Sequence, residues 1–197
     1  MSLRKDGRNI FADETDRFGL SQDAYYFIGG LMKHVYSMTA ITNPLVNSYK
    51  RLVSGFEAPL HIAWSVTNRS PLIRIPSSFG SGTRIELRSP DSAANPYLTI
   101  ALCLAAGLDG IKNKITPPEN IQKNIFHMTE QEKEQLHIKS LPTNLYDAVC
   151  AMERDAFIRE ILGEHISNVY ICSKKDEWDR YCKTVTEWEV DTYLDKF

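Results

Sequence analysis

Charged and apolar side chains alternate strictly along the segment from Arg84 to Arg88. Because successive side chains of a β-strand point to opposite faces, the charged residues Arg84, Glu86 and Arg88 would share one face. Ile85 and Leu87 would then point into the core. A carboxylate between two cations can bind a divalent metal ion, while the arginines bind the anions that the ion bridges. A ladder of ion pairs between neighbouring strands, which stabilises little, is the other interpretation, and the alternation by itself favours that ladder.

Basic residues are concentrated around this segment. Between Lys50 and Arg88 the sequence has six basic residues and two acidic ones, although the whole chain has a formal net charge of -2. The basic residues are Lys50, Arg51, Arg69, Arg74, Arg84 and Arg88. Arginine binds phosphate and carboxylate groups through parallel hydrogen bonds, which favours a local anion site over a surface for nucleic acid. If charge is the only observation used, a solvated edge of a sheet is an equally good explanation.

Four other residues of this basic region are candidates with plainer explanations. Arg74 lies between apolar residues of a second strand-like run, so it can join the charged face. Arg69 stands at an expected turn before that run. Arg51 ends a short helix, where a cation is also favoured by the helix dipole. Glu57 lies in a loop, where an acidic side chain is usually only solvated.

The elements that would position these residues are short strands and two helices. We expect strands at His61–Val66, Leu72–Pro76 and Thr83–Ser89, with a mobile loop before the last one. A long helix should follow the N-cap Ser21 and end near Ile41, loosened at Gly29-Gly30. A shorter helix should be capped by Asn43-Pro44 and end at Lys50.

The second half of the sequence predicts helices. A helix that opens at Asn95-Pro96 has apolar residues at helical spacing, which predicts a buried face. That face comprises Tyr97, Ile100, Ala101, Leu104, Leu108 and Ile111. Further helices are expected at 144–154, 156–162, 164–183 and from 187 to near the C terminus, with capping boxes at Thr129–Glu132 and Thr186–Glu189. A few strands followed by helices indicate an α+β fold.

Composition excludes several classes of protein. The chain has 197 residues, of which 43% are hydrophobic and 24% charged, so collagen-like, disordered and low-complexity classes are excluded. The longest apolar stretch, Tyr97–Leu108, is too short to span a bilayer, and the N terminus shows no secretory signal. The four cysteines have neither C-x-x-C spacing nor a zinc-like offset from histidine. We therefore expect a cytoplasmic protein with reduced, buried thiols and without membrane or nucleic-acid partners.

Six motifs in a fixed order carry a resemblance to a known family. They are Asn43–Val53, Gly55–Pro59, Asn68–Ser70, Ile73–Pro76, Arg84–Arg88 and Pro90–Leu98. In this order and spacing they resemble the C-terminal part of the catalytic domain of type I (bacterial) glutamine synthetase. The resemblance covers essentially the whole chain, so residues 1–197 are expected to be the C-terminal portion of that α+β domain, with a few antiparallel strands and a mostly helical second half.

The resemblance implies the ATP-dependent ligation of ammonia to L-glutamate through γ-glutamyl phosphate. By position, Arg51 and Arg88 match arginines that hold the carboxylates of glutamate. Glu57 matches the glutamate of a flap that closes the ammonium site, contacts the substrate and accepts the proton. The flap differs from the usual family pattern at Ser54 and Phe56, where proline and tyrosine are frequent, and neither change removes a reacting group.

The same resemblance assigns a nucleotide site and a metal ligand. Arg69 matches the arginine on the transferring phosphoryl group and, with Arg74 and Arg84, belongs to the nucleotide site. Glu86 matches a ligand of the second divalent ion, Mg²⁺ or Mn²⁺. Phosphoryl transfer needs cations on the phosphate oxygens more than covalent chemistry, so the basic face suits this role. With the resemblance, a functional role for Arg84, Glu86 and Arg88 is favoured over an ion-pair ladder.

The family's N-terminal domain, other metal ligands and nucleotide loop match segments upstream of this chain. The resemblance therefore implies a fragment with about half of a site, inactive by itself. A natural standalone module that binds a nucleotide or a partner without catalysis is an alternative from another class. A fragment of a related γ-glutamyl-amine ligase is a third.

The resemblance also implies partners and regulation. Family members form double-ring dodecamers in which the C-terminal helix inserts into the facing ring, and aromatic residues anchor such contacts. The candidates are Trp178, Tyr181, Trp188 and Tyr193, and we expect the fragment to self-associate. Some members are adenylylated on a tyrosine at the position that Phe126 occupies here. Because Phe126 has no hydroxyl, adenylylation at this position is excluded.

Overall fold

The structure is a computed structural model that describes residues 1–53, 58–194 and 196. Its strands are β1 (Arg4–Lys5), β2 (Arg8–Asn9), β3 (His61–Ser65), β4 (Pro71–Arg74), β5 (Glu86–Leu87) and β6 (Lys139–Ser140). Its helices are α1 (Gln22–Thr42), α2 (Val46–Arg51), α3 (Pro96–Lys112), α4 (Glu130–Gln135), α5 (Leu145–Arg154), α6 (Ala156–Leu162), α7 (Glu164–Cys182) and α8 (Glu187–Tyr193). The predicted α+β class is confirmed.

The central sheet has four strands in the order β5-β4-β3-β6, and β1 and β2 form a separate hairpin. The pair β4–β5 is antiparallel, as predicted, but the prediction is wrong for β3 and β4, which are parallel. The unpredicted strand β6 pairs antiparallel with β3. The short connection between β3 and β4 is hydrogen-bonded to the segment around residues 123–125. Asn68 Nδ2 donates to Lys123 O, and Ser70 Oγ accepts from Ile125 N. The expectation of helices alone after the middle of the chain is wrong, since β6 pairs with β3.

Helix α1 runs unbroken through the glycine pair that was expected to loosen it. Here the glycines allow a close crossing with α3. A Cβ atom on Gly30 would lie 2.0 Å from Ala106 O, and one on Gly110 would lie 2.0 Å from Tyr26 O. The N-cap prediction at Ser21 is confirmed, because its side chain accepts from Ala24 N. Backbone contact between helices, rather than flexibility, therefore explains these glycines.

The predicted buried face of α3 is wrong for most of its residues. Tyr97 is 84% and Ile100 65% exposed, and Ala101, Leu104 and Leu108 are exposed as well. Ile111 is partly buried against the core, as predicted. The fully packed residues of α3 are Leu102, Cys103, Ala106, Gly107 and Gly110. The close crossing with α1 requires small side chains at Ala106 and Gly110, so a different face from the predicted one meets the core.

The predicted cap at Asn43 is also wrong, because Asn43 ends α1 and α2 begins three residues later, after the N-cap Leu45. The Asn43 side chain is fully buried and donates through Nδ2 to Ser89 O at 2.8 Å. Its amide therefore fixes the chain just beyond β5 instead of capping a helix.

The helices of the second half agree with their predicted bounds within a few residues. Both capping boxes form, at Thr129 with Glu132 and at Thr186 with Glu189. The described C-terminal helix ends at Tyr193. None of the helices in the described ranges combines the length and apolar character needed to cross a membrane.

The cysteines are all unpaired, and their burial differs. Cys103 is buried, and burial raises the pKa of its thiol to about 11. Cys172 and Cys182 are exposed, so the expectation of buried thiols is wrong for these two. Helix α7 buries only Ser167 and Ile171, which leaves most of its surface, including Cys172, facing outward.

Candidate functional site

Strand β5 and its neighbour β4 bring one carboxylate between two guanidinium groups. Glu86 Oε2 lies 3.3 Å from Arg74 Nη1, and Glu86 Oε1 lies 3.6 Å from Arg88 Nε. Arg74 and Glu86 are direct cross-strand partners in the register of β4 and β5. Ile85, next to Glu86, is fully buried, so the predicted alternation of faces is observed there. Regular strand structure is limited to Glu86–Leu87, shorter than predicted.

The geometry of these ion pairs is loose. Strong charge-assisted hydrogen bonds are about 2.7–2.9 Å long, and both pairs are longer than that. The Glu86 side chain is 39% exposed, so solvent screens its attraction to Arg74 and Arg88. The pairs therefore form the ladder that the sequence allows, but they add little to stability and leave the carboxylate reachable from solvent.

Arg88 ties β5 to the connection before β4. Its guanidinium donates to Arg69 O and, at 3.4 Å, to Pro71 O. Its backbone N–H donates to Leu72 O at 3.0 Å. These contacts hold the backbone of Arg69, whose side chain is exposed, beside Arg88. Two candidates separated in sequence are thereby placed together.

Arg51 reaches the same end of β5 from helix α2. Its Nη2 donates to Ser89 O at 2.5 Å, and Asn43 donates to the same carbonyl. The contact shows that Arg51 does more than complement the dipole of α2. Its Nε and the Ser89 hydroxyl are both buried without a hydrogen-bond partner within the described chain. Unpartnered buried polar atoms are costly, which marks this end of β5 as a place for a polar ligand.

Arg84 stands apart from the Glu86 pairs. It is exposed and donates through Nη1 to Ser78 Oγ at 2.8 Å and to Gly82 O at 3.2 Å. Both acceptors belong to the loop before β5, which forms a 3₁₀ turn at Gly80–Gly82. The structure thus places Arg51, Arg69, Arg74, Glu86 and Arg88 along the paired strands β4 and β5, with Arg84 on the adjoining loop. Glu57 lies outside the described residues.

A metal ion would find one acidic ligand here. No group of three His, Cys, Asp or Glu side chains suited to a metal occurs in the part of the chain that the structure describes. Divalent magnesium needs about six oxygen ligands. The partly exposed Glu86 carboxylate fits the role of one ligand, and the others must come from water, substrate or protein outside the described residues.

One cavity lies away from these charges. It has a volume of about 650 Å³ and lies between α1, β3 and the segment around residues 115–139. A smaller cavity of about 350 Å³ adjoins the site, and its walls include Met1, Arg84, Glu86 and Ile100. Only the charged side chains of Arg84 and Glu86, among the candidates that the structure describes, connect the smaller cavity with the site.

Two asparagines of the site region escaped sequence reasoning. Asn43 was assigned to a helix cap, and Asn9 was not singled out at all. Both donate their side-chain amides to backbone carbonyls distant in sequence, Asn43 to Ser89 O and Asn9 to the loop at Gly80–Thr83. No local spacing signals such contacts, because the partners lie dozens of residues away.

Comparisons with known proteins agree on one family. A family model for "Glutamine synthetase, catalytic domain" matches residues 1–193. Glutamine synthetase from Clostridium saccharobutylicum is 53% identical over 197 residues, and that from Methanosarcina mazei is 56% identical over 193 residues. The alignments cover 100% and 98% of this chain but 44% and 43% of those proteins, so the chain spans less than half of their length. A solved structure described as "GmaS/ADP complex-Conformation 1" superposes with a TM-score of 0.82 at 41% identity, covering 95% of this chain and 43% of that one.

Proposed function

The chain belongs to the glutamine synthetase catalytic-domain family, and from this we propose that it supplies the arginine-rich part of a glutamate–ammonia ligase site. The complete enzyme would join ammonia to L-glutamate at the expense of ATP, through γ-glutamyl phosphate. Residues 1–197 would be the C-terminal portion of its catalytic domain, and the chain alone would be inactive. The observation that carries this proposal is the convergence of Arg51, Arg74 and Arg88 around Glu86 and the end of β5.

Glutamate would bind at the end of β5. Arg88 lies beside Glu86, and Arg51 contacts the next residue after Arg88. Two guanidinium groups at one place can bind carboxylate oxygens through paired hydrogen bonds. Glu57, by its position in the sequence, would contact glutamate and accept a proton from bound ammonium. The ammonia so formed would attack the acyl carbon of γ-glutamyl phosphate, and phosphate would leave.

ATP would bind along the remaining arginines. Arg69 would bind the oxygens of the transferring phosphoryl group, where charge accumulates in the transition state. Arg74 and Arg84 would hold the rest of the nucleotide. The similar solved structure is described as an ADP complex, so a relative that binds a nucleotide supports this part of the proposal.

Glu86 would be one ligand of a divalent ion, Mg²⁺ or Mn²⁺. The ion would supply positive charge that offsets the charge of the phosphate groups. Glu86 would then exchange its loose pairs with Arg74 and Arg88 for the metal. The two arginines would turn to the anionic substrates that accompany the ion.

Ammonia is favoured as the acceptor over another amine. The curated relatives that are 53% and 56% identical to this chain are named glutamine synthetase. A fragment of a related γ-glutamyl-amine ligase is therefore the weaker proposal.

In the complete protein we expect a cytoplasmic homo-oligomer, a double-ring dodecamer, in which the C-terminal helices contact another subunit. Trp188 is 64% exposed, and Tyr193 is also exposed, so these aromatic residues can anchor a contact. Trp178 packs against the core instead and is a poorer anchor.

Phosphate release and glutamine formation test the proposal. The chain alone, given glutamate, ammonium, ATP and Mg²⁺, should give no turnover above the blank. Mixed with the portion of the Clostridium saccharobutylicum enzyme that it does not match, it should restore turnover in this reconstituted enzyme. Turnover by the chain alone, or a reconstituted enzyme that ignores Arg88→Ala, contradicts the proposal.

A further inference from the structure

The side chain of Asn9 holds the loop that precedes β5. Its Nδ2 group donates to Thr83 O at 2.8 Å and to Gly80 O at 3.2 Å, and it lies 3.4 Å from Ser81 O. Its Oδ1 accepts from Phe11 N at 3.1 Å. Both ends of the amide are thus used, one within its own hairpin and the other on a loop more than 70 positions away.

The loop needs an external restraint. Residues 77–82 are serine, glycine and phenylalanine, and glycine retains wide conformational freedom. Gly80 adopts φ +62°, in the left-handed region that favours glycine. Within the loop, Ser78 Oγ donates to Gly82 O at 2.7 Å. The Asn9 amide adds contacts to the carbonyl oxygens of Gly80, Ser81 and Thr83 from a separate element, β2.

The conformation of this loop determines where Arg84 lies. Arg84 follows Thr83 directly, and its guanidinium donates to Ser78 Oγ and Gly82 O. The carbonyls held by Asn9 therefore flank the groups that hold Arg84. If the loop shifts, both the Arg84 backbone and its side-chain partners shift with it.

We propose that Asn9 is a positioning residue for nucleotide binding, acting through the loop that fixes Arg84. This inference rests on the proposed role of Arg84 in binding ATP. Asn9 itself does not contact the nucleotide. It differs from an ordinary structural asparagine because its effect on ATP binding disappears when Arg84 is absent.

The test measures binding of Mg²⁺-ATP to the reconstituted enzyme by equilibrium dialysis. Asn9→Asp keeps the size of the side chain but replaces the amide donor by a carboxylate that faces three carbonyl oxygens. We expect it to weaken ATP binding about tenfold, the effect of about one lost hydrogen bond. In an Arg84→Ala background, Asn9→Asp should not weaken ATP binding further. Hydrogen exchange should also become faster at residues 80–84 and remain unchanged in α1.

Asn113→Asp is the matched control. The Asn113 amide donates only to Asp109, at its backbone oxygen and its carboxylate, on an exposed surface. The same chemical change there should leave ATP binding as in the unmodified chain.

The outcomes separate the two proposals. A reconstituted enzyme that does not bind ATP, or one that binds it equally well with Arg84→Ala, overturns the proposed nucleotide site. Two other outcomes overturn only the positioning role of Asn9. In the first, Arg84→Ala weakens ATP binding but Asn9→Asp does not. In the second, Asn9→Asp weakens ATP binding as much in the Arg84→Ala background as it does alone.

Discussion

Replacing Glu86 by glutamine separates the two interpretations of the charged strand face. The change keeps the shape of the side chain and removes its charge. In the structure, Glu86 makes two ion pairs of 3.3 and 3.6 Å with a side chain that is 39% exposed. Screened pairs of this kind contribute at most about 1 kcal/mol each, and long distances reduce that further. We expect Glu86→Gln to lower the free energy of unfolding by less than about 1 kcal/mol.

The effect on catalysis should be much larger. If Glu86 is a metal ligand, its loss should cost about 2–5 kcal/mol of transition-state stabilisation, or at least about 30-fold in turnover at limiting Mg²⁺. Higher Mg²⁺ should recover part of the rate. Urea unfolding of the chain measures the first quantity, and phosphate release by the reconstituted enzyme over a range of Mg²⁺ concentrations measures the second.

Glu130→Gln provides the control for this experiment. Glu130 is also ion-paired, with Lys133 at 2.7 Å, but it lies on α4 and is highly exposed. The Glu130→Gln variant should have unchanged turnover and an unchanged dependence of turnover on Mg²⁺. Wild-type kinetics for Glu86→Gln at every Mg²⁺ concentration would refute the metal role. A large loss of stability with normal turnover would favour a purely structural ladder.

Four further predictions concern the rest of the molecule. Gly30→Ala should lower the free energy of unfolding, measured with urea, by about 2 kcal/mol or more, because the new Cβ would lie 2.0 Å from Ala106 O. Alanine usually stabilises a helix relative to glycine, so a gain in stability would contradict the close crossing of α1 and α3. Burial and then nearby Lys133 lower the pKa of His61 below 6.5, so the unfolded chain binds more protons in mildly acidic solution. Stability should therefore fall as the pH drops from about 6.5 through the lower native value, and His61→Gln should flatten that part of the pH profile. The chain should self-associate in sedimentation, and Ile100→Glu on the exposed α3 face should reduce this; a strictly monomeric chain at high concentration would disagree. Incubation of the reconstituted enzyme with an adenylylating enzyme and labelled ATP should leave residues 115–150 without label on any tyrosine, since Phe126 has no hydroxyl.

Interactions between residues close in sequence allowed helix caps, strand faces and the family to be predicted from the sequence. Ser21, Thr129 and Thr186 cap helices through bonds that span three residues, so the sequence alone locates them. The alternation around Glu86 likewise predicts which side chain faces the core, because the period of a strand is two. The family, too, is recognisable from ordered motifs, and the comparisons confirm it.

Tertiary structure decided which partners those patterns meet. The apolar period of α3 defines a face, but whether that face is buried depends on the helix that packs against it. The crossing at Gly30 and Gly110 demands small residues and turns the large ones outward. The positions of Asn9 and Asn43 were equally hidden, because their amides bind carbonyls 46 or more residues away. Sequence spacing records local hydrogen bonds and periodicity, whereas contacts between distant segments exist only once the chain has folded.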